Sequence, residues 1–124
     1  VCVRFRQQIN ENSKMLCWHH ALPEMNHNEL VGWVEKNENL AVIFMRNNDD
    51  YIRTQTRLDY TKEVASNVTS PIIELWSKGE SKLARTLYLV HIGDWISCYL
   101  ADMKGIDAVE VNVITKLKNA LAGK

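Results

Sequence analysis

The chain has 124 residues and is 46% hydrophobic, which is enough for one domain with a substantial core. Fifteen basic residues balance fifteen acidic ones, and a chain without net charge has no overall field to attract nucleic acid or an anionic membrane. Its three cysteines are odd in number and widely spaced, which argues against a disulfide framework or a zinc site and favours a reducing, cytoplasmic setting.

The first predicted element is a helix over residues 1–20, because its apolar residues approximate one face at helical spacing. Pro23 then ends any helix, since proline has no backbone N–H to donate. Asn26 or Asn28 could cap a short second helix, because asparagine side chains accept hydrogen bonds from the first turn. The buried side of this second helix would consist of Leu30, Val31 and Trp33.

Two short strands and a helix are predicted in the middle of the chain. Residues 40–45 form a continuous apolar run, which is typical of a strand buried on both faces in a parallel sheet. A polar loop follows, in which Asp49 or Asp50 could cap a helix over residues 51–67. Residues 72–76 predict a second short strand.

Two helices are predicted at the end of the chain. The longer covers roughly residues 80–104, with Ser77 or Ser81 as its cap and Gly105 as its stop. Its apolar residues run almost all round, which indicates a helix covered on most sides. The apolar-rich stretch 83–103 within it contains Arg85, His91, Asp94 and Asp102, which argue against a membrane span. The last helix, about residues 109–122, is amphipathic. Its predicted buried stripe consists of Val113, Ile114, Leu117 and Leu121.

The order of these elements predicts an α/β fold with a parallel sheet. Only two strands are visible, and a two-stranded parallel sheet is not stable alone. The chain also starts inside a predicted helix, with no N-cap, no signal peptide and no initiating Met. We therefore expect an incomplete domain, whose remaining strands come from further sequence or from a second copy of the chain.

Residues 7–33 hold the densest concentration of polar chemistry. Three of the four histidines and many amides lie there, and asparagines stand on both sides of Glu11 and of His27. Asparagine is a poor helix former, because its side chain competes for backbone hydrogen bonds. Local rules that are broken in one place are expected at a functional site, so this stretch is the candidate site.

Two blocks of sequence are distinctive. The first consists of residues 8–14 (QINENSK) and 22–33 (LPEMNHNELVGW), and the second of residues 87–101, 105–107 and 114–118. In order and spacing they resemble the C-terminal part of the bacterial and archaeal bifunctional phosphoglucose/phosphomannose isomerases, in the sugar isomerase (SIS) superfamily. The resemblance implies a doubly wound SIS-type domain, with a parallel sheet flanked by helices. It also implies that residues 1–124 are the C-terminal SIS domain of a longer enzyme with two such domains.

The resemblance implies an aldose–ketose isomerase without metal or cofactor, which interconverts glucose 6-phosphate or mannose 6-phosphate with fructose 6-phosphate through a cis-enediol. Glu11 matches the base that moves a proton between C1 and C2. His27 matches the group that opens the sugar ring. In related isomerases this histidine comes from the neighbouring subunit, so a homodimer is implied. Lys118 resembles a lysine that contacts the substrate oxygens, with Lys116 as a competing candidate.

The family's phosphate-binding Ser/Thr loop and an arginine early in its second domain have no match in the chain. The sequence therefore predicts that the full protein is an isomerase and that this piece alone is inactive. A non-catalytic sugar-phosphate-binding or regulatory SIS module is the alternative. The presence of Glu11 together with His27 favours the enzyme, because a module that only binds sugar phosphate needs no base.

Other polar groups favour structural interpretations. His19 and His20 are adjacent, so on a helix they point about 100° apart and seldom share one metal ion with His27 and Glu24. His91 and Asp94 are one turn apart on the long helix, which indicates a buried polar pair or a subunit contact. The four tryptophans indicate core or interface positions, and Cys17 a buried apolar role.

Overall fold

The computed structural model describes residues 1–123. Within them four helices and two strands follow one another in the predicted order. The elements are α1 (Cys2–Ser13), β1 (Val42–Arg46), α2 (Ile52–Ser66), β2 (Ile72–Trp76), α3 (Lys82–Met103) and α4 (Asn112–Ala122), with two 3₁₀ turns at Glu24–His27 and Glu29–Gly32. Among these residues no helix combines the length and the apolar character that crossing a bilayer requires.

The two strands form a parallel pair, in register from Val42 opposite Ile72 to Arg46 opposite Trp76. The α/β prediction is therefore confirmed, with α2 as the crossover that a parallel pair needs. Phe44 and Arg46 are buried, whereas the other three residues of β1 are partly exposed. The prediction that β1 is buried on both faces is therefore only partly correct. Among the described residues, the side chains of Ile43 and Met45 remain partly exposed.

The described residues divide into two compact units. The first contains α1 from Val3, the segment after it as far as Trp18, and the chain from Val90 onward, which includes α4. The second contains Cys2 and residues 19–89, and therefore the 3₁₀ turns, both strands and α2. Glu11 thus belongs to the first unit and His27 to the second.

In the first unit, α1 and α3 approach each other closely at Gly93. A Cβ atom at this position would lie 2.8 Å from Phe5 Cδ2, so the absence of a side chain makes room for the ring. Nearby, Arg4 Nε and Nη2 donate to the Asp94 carboxylate at 3.0 and 2.8 Å. This ion pair raises the pKa of Arg4 and links the two helices at the start of α1.

The predicted buried pair of His91 and Asp94 is wrong. Asp94 binds Arg4 instead, and His91 is exposed, where its Nε2 accepts a hydrogen bond from Trp95 Nε1 at 3.1 Å. Trp95 in turn stacks on Tyr99, with ring centroids 5.6 Å apart. Each contact joins residues four apart, which are neighbours on a helix surface. The result is an exposed aromatic row along α3.

The second unit is organised around Arg46, which is only 5% exposed. Its Nη1 contacts Asp59 at 2.7 Å and Glu74 at 2.5 Å, and its guanidinium lies 4.7 Å from the ring centre of Trp76. Lys62 Nζ reaches the other Glu74 oxygen at 2.7 Å. Hydrogen bonds from Lys62 and Arg46 lower the pKa of Glu74, so the carboxylate stays charged and offsets the buried guanidinium.

The predicted short helix after Pro23 is replaced by the two 3₁₀ turns. Asn28 does act as a cap, because its Oδ1 accepts the Glu29 N–H at 2.6 Å. However, Val31 is 80% exposed rather than buried. The reason is geometric: a four-residue 3₁₀ turn presents a narrower face than an α-helix and cannot bury a broad apolar stripe.

The predicted ends of α3 are confirmed, whereas the predicted cap of α2 is wrong. Ser81 Oγ accepts a backbone N–H of the first turn of α3 at 3.1 Å, and Gly105 ends the helix with a φ of 64°. Before α2, Asp50 accepts the Asn47 N–H at 3.1 Å, and no side chain caps the helix. Asp50 therefore closes the preceding turn, and Asp49 does not cap α2 either.

The apolar faces of α3 and α4 are less covered than predicted. The stripe of α4 was expected to be buried, but nothing in residues 1–123 covers it. Likewise α3 exposes several large apolar side chains along its length. The exposed fractions in α4 are 80% for Val113, 41% for Ile114, 59% for Leu117 and 61% for Leu121. The amphipathic pattern thus correctly predicts a helix but not its burial within this chain.

Candidate active site

Glu11 lies in the last turn of α1, away from its packed side. Phe5, Ile9 and Ser13 are buried and recur every fourth residue. Glu11 is two residues from both Ile9 and Ser13, which places it about 200° round the helix from them. Its side chain is accordingly exposed. Among residues 1–123 its backbone carbonyl accepts a hydrogen bond, from Lys14 Nζ, but no side chain binds its carboxylate.

A groove of about 790 Å³ lies beside Glu11 in the first unit. Its walls are the polar face of α1, the segment after α1, and residues 110–116 at the start of α4. Three basic residues, Arg6, Lys14 and Lys116, line it together with two acidic ones, Glu11 and Glu110. The Glu110 carboxylate accepts the Asn112 N–H, so a hydroxyl-rich ligand would meet donors here and the carboxylate of Glu11.

Asn10 anchors the segment that forms one wall of the groove. Its Nδ2 donates to the carbonyls of Arg6 at 2.8 Å and Cys17 at 2.9 Å. Its Oδ1 accepts the Cys17 N–H at 3.3 Å. The amide therefore satisfies backbone groups on both α1 and the returning chain, and it ties the two together.

Asn12 and Ser13 hold the end of α1 on α3. Asn12 Nδ2 donates to Ser97 Oγ at 2.9 Å and to Gln8 Oε1 at 2.6 Å. Ser13 Oγ donates to the Ser97 carbonyl at 2.8 Å, and Lys104 Nζ donates to the Ser13 carbonyl at 2.8 Å. Ser13 and Ser97 are fully buried. The backbone beside Glu11 is therefore fixed by several bonds to a second helix.

Lys14 is the reason that α1 ends at Ser13 and does not reach His20. Lys14 has a φ of 51°, in the left-handed region that a residue other than glycine seldom adopts. Its Nζ donates to the Glu11 carbonyl at 2.7 Å, so its charge satisfies an end of the helix that favours cations. The predicted helix over residues 1–20 is thus too long, because this residue turns the chain.

Cys17 lies in the wall of the groove and is half-buried. Burial raises the pKa of its thiol, against a smaller opposite influence of Arg6. A raised pKa keeps the sulfur protonated, and the thiol is a poor nucleophile in that form. This agrees with its interpretation as an apolar wall residue.

The structure separates the two lysine candidates. Lys116 lines the groove together with Glu11, whereas Lys118 is exposed and is not among the residues that line it. Two residues on a helix are about 200° apart, so α4 presents the two side chains on nearly opposite sides. In the described residues, Lys116 is the candidate that shares a surface with Glu11.

His27 ends the first 3₁₀ turn of the second unit and is exposed. The asparagine before it is anchored: Asn26 Nδ2 donates to the buried Thr61 hydroxyl at 2.9 Å, and its Oδ1 accepts from Arg57 at 3.3 Å. The asparagine after it caps the second turn. The amides therefore hold the loop on α2, while the imidazole has no hydrogen-bond partner among residues 1–123.

The other histidines of this stretch behave differently. His20 Nε2 meets Glu29 Oε2 at 2.5 Å, and the Nδ1 atom of His19 is buried without a partner among residues 1–123. Within the same range, no three His, Cys, Asp or Glu side chains converge as ligands for a metal ion. Of the three histidines in residues 7–33, His27 is the exposed one without an ion pair.

Comparison with known proteins assigns the family. The model of the bacterial phospho-glucose isomerase C-terminal SIS domain matches residues 1–121. The chain belongs to this family. Similar proteins include the bifunctional phosphoglucose/phosphomannose isomerases of Aquifex aeolicus (40% identical), Caldicellulosiruptor bescii (35%) and Thermoplasma volcanium (30%), each matched over 98% of this chain.

The same matches cover 38%, 37% and 39% of those three relatives. The chain therefore spans less than two fifths of the length of the isomerases that it resembles. Its membership of the SIS family is confirmed, and so is the expectation that the described α/β unit corresponds to only part of such a protein.

Sequence reasoning identified the residue that lines the groove but missed those that hold it. The sequence pattern presents Ser97 and Lys104 only as parts of a long apolar helix, yet both bind the end of α1. One signal was present: Gly93 and Ser97 are small residues four apart, so they lie on one face of the helix. Small residues on one face of an apolar helix indicate a close approach by another helix.

Proposed function

We propose that the protein to which this chain belongs interconverts glucose 6-phosphate or mannose 6-phosphate with fructose 6-phosphate, without a metal ion or cofactor. In this proposal residues 1–124 form the C-terminal SIS domain of a longer enzyme with two such domains. Support comes from the family membership and from one observation in the structure. Glu11, whose carboxylate has no partner among residues 1–123, lines a groove that also contains three basic residues and Glu110.

The proposed chemistry is a proton transfer between neighbouring carbons. In the open-chain aldose, Glu11 takes the proton from C2, the C2–H electrons form the C1–C2 double bond, and the carbonyl oxygen at C1 gains a proton from water. The resulting cis-enediol then takes the proton back from Glu11 at C1, while the hydroxyl at C2 loses its proton to water and becomes the ketone. One carboxylate serves both transfers, because it is regenerated at the end.

A cation beside the two oxygens would stabilise the negative charge that develops on them in the transition state. The resemblance implies Lys118 for this role, whereas Lys116 is the lysine of α4 that lines the groove together with Glu11. Either ammonium group is chemically suitable. The proposal therefore keeps both lysines as candidates, and their separate replacement distinguishes them.

His27 is proposed to open the sugar ring, by giving a proton to the ring oxygen and taking one from the hydroxyl at C1. An imidazole can do both near neutral pH. We further propose that it acts on the active site of the neighbouring subunit in a homodimer. Its exposure and its lack of a hydrogen-bond partner among residues 1–123 support this, because a partner subunit can reach such a side chain.

The direct test is to replace Glu11 by Gln in the full-length protein. Glu11→Gln keeps the size of the side chain and removes the base, so kcat should fall by about 10²–10⁴-fold. Binding of a non-reacting hexitol 6-phosphate, measured by calorimetry, should persist. The matched control is Glu63→Gln, which changes an exposed helical glutamate of α2 and should leave kcat unchanged.

Turnover that survives in Glu11→Gln would remove Glu11 from the role of base. A full-length wild-type protein that binds sugar phosphates but forms no fructose 6-phosphate would support the regulatory module instead. The isolated chain 1–124 should show no turnover under the same conditions. Clear turnover by that piece would show that the phosphate-binding part of the enzyme is not needed.

A further inference from the structure

Glu11 depends on its backbone for its position. Its carboxylate has no partner among residues 1–123, and it lies in the last turn of α1, where helices commonly fray. A base for proton transfer must lie within hydrogen-bond reach of the proton that it takes. Whatever holds the last turn of α1 therefore also sets the place of the carboxylate.

The side chain next to Glu11 provides such a hold. Asn12 Nδ2 donates to Ser97 Oγ at 2.9 Å, and Ser97 is fully buried in α3. The Ser97 hydroxyl itself donates to the Asp94 carbonyl at 2.7 Å, which leaves its oxygen free to accept from Asn12. The Ser97 hydroxyl is therefore the acceptor from Asn12 and the donor to Asp94. If the hydroxyl hydrogen rotated, the bond to the Asp94 carbonyl would be lost.

The same region of α3 also holds the beginning of α1, because the Asp94 carboxylate binds Arg4. The helix is therefore held near its start by the ion pair at Arg4 and near its end by bonds that include the amide of Asn12. Ser13 and Lys104 also join the end of α1 to the neighbouring chain by hydrogen bonds, so attachment of the helix end does not depend on Asn12 alone. Asn12 adds a bond from the residue that directly follows Glu11.

We propose that Asn12, through its hydrogen bond to Ser97, is a positioning residue for the base Glu11. The bond fixes the rotation of the last turn of α1 and therefore the angle at which the carboxylate meets the substrate. This inference rests on the proposed isomerase function. A misplacement of about 1 Å can cost about a hundredfold in rate, so loss of this one bond should lower kcat by about 10–100-fold.

The experiment uses the full-length enzyme and four variants: Asn12→Ala, Asn12→Asp, Ser97→Ala and the double variant Asn12→Ala/Ser97→Ala. Asn12→Asp keeps the volume of the side chain and removes its donor, so it remains informative if a truncated variant folds poorly. The control is Val68→Ala, which shortens a buried side chain of the second unit and lowers stability without touching α1. Melting temperature, kcat, KM and the isotope effect with 2-deuterated glucose 6-phosphate are measured for each.

If Asn12 positions the base, kcat falls in all four variants while KM changes little. The isotope effect on kcat rises above that of the wild type, because proton transfer becomes slower relative to the other steps. The double variant loses no more kcat than the worse single variant, since the hydrogen bond between Asn12 and Ser97 is already absent from each single variant. Val68→Ala lowers the melting temperature but keeps the wild-type kcat and isotope effect.

The inference is overturned if the Asn12 and Ser97 variants behave like Val68→Ala, with a lower melting temperature and an unchanged kcat and isotope effect. That outcome is distinguishable from a failure of the proposed function. If Glu11→Gln abolishes turnover and Asn12→Ala does not, only the positioning role falls. If Glu11→Gln itself keeps full turnover, the assignment of the base falls first.

Discussion

The two units of the chain each contain a polar residue between two asparagines, and they support it differently. Around Glu11 the amides bind a second helix and the returning backbone, so the central residue stands on a regular helix anchored on both sides. Around His27 one amide reaches Thr61 of α2 and the other caps a short turn. In both cases the amides serve the backbone and leave the central side chain free.

The difference suits the two proposed roles. A base that moves a proton between adjacent carbons needs a fixed position, because its rate depends on the distance and angle of the transfer. A ring-opening imidazole that acts in the active site of a neighbouring subunit must first of all be exposed on the surface of its own subunit. The helix provides Glu11 with rigidity, and the 3₁₀ turn presents His27 on an exposed loop.

The largest expected effect tests whether Glu11 of the first unit and His27 of the second unit act together within one subunit or across two subunits of a dimer. His27→Asn and Glu11→Gln should each lower turnover of the full-length enzyme by about 10²–10⁴-fold. When the two inactive proteins are unfolded together and refolded as a mixture, half of the dimers are mixed. Each mixed dimer has one intact site if His27 crosses to its partner, so about a quarter of the wild-type activity should return.

A mixture that stays inactive would show that His27 and Glu11 of the same subunit act together. Refolding of each variant alone is the control, because neither should gain activity. The glutamate would keep its proposed role under either result. What would change is the sharing of the imidazole between subunits.

The next expected effect distinguishes the two lysines of α4. Lys→Met keeps the length of the side chain and removes its charge. Removal of one group that stabilises developing negative charge lowers kcat by about 10²–10³-fold. The position of Lys116 in the groove predicts that Lys116→Met gives this loss and that Lys118→Met gives little. The opposite result would support the assignment of Lys118 that the resemblance implies.

Much of the fold could be predicted because it depends on local pattern. Residues 72–76 form a strand over their whole predicted length, since a short, mostly apolar stretch between turn residues is sufficient to specify it. Gly105 and Ser81 act as predicted, because capping involves only nearby backbone. The end of α1 was not predictable in this way. It depends on the left-handed Lys14 and on the hydrogen bonds that Asn10 makes to Cys17.

The residues of the candidate site likewise differ in whether local sequence or tertiary contact reveals them. Glu11 and His27 could be found because their flanking amides form a recognisable motif in the sequence. Ser97 could not, since its role appears only when α1 lies against α3. The exposed stripe of α4 is a third case: sequence predicts its amphipathic character, but burial depends on what covers it, and nothing in residues 1–123 does so.

Gly93 provides a stability test of the first unit. A methyl group at this position would lie 2.8 Å from the Phe5 ring, so Gly93→Ala should destabilise by about 1–3 kcal/mol through overpacking. Gly32→Ala is the matched control, because a Cβ atom there meets nothing within 4 Å. Thermal unfolding of both variants should show a clear drop only for the first. Equal melting temperatures would mean that α1 and α3 are not held as closely as described.

The smallest expected effect concerns the second unit and its pH dependence. The pKa of Glu74 is lowered by hydrogen bonds from Lys62 and Arg46. A carboxyl with a lowered pKa in the folded state contributes stability that is present above its ordinary value and is lost as the pH falls through the folded value. The wild type should therefore lose stability in acid below the ordinary pKa of glutamate, and Glu74→Gln should be less stable at pH 7 and flatter in that acid range. Urea unfolding across the acid range measures this. Gly93 acts through packing, so the unfolding free energy of Gly93→Ala should depend on pH as that of the wild type does. If this pH dependence changed in Gly93→Ala but not in Glu74→Gln, the acid sensitivity would arise in the first unit and not from Glu74.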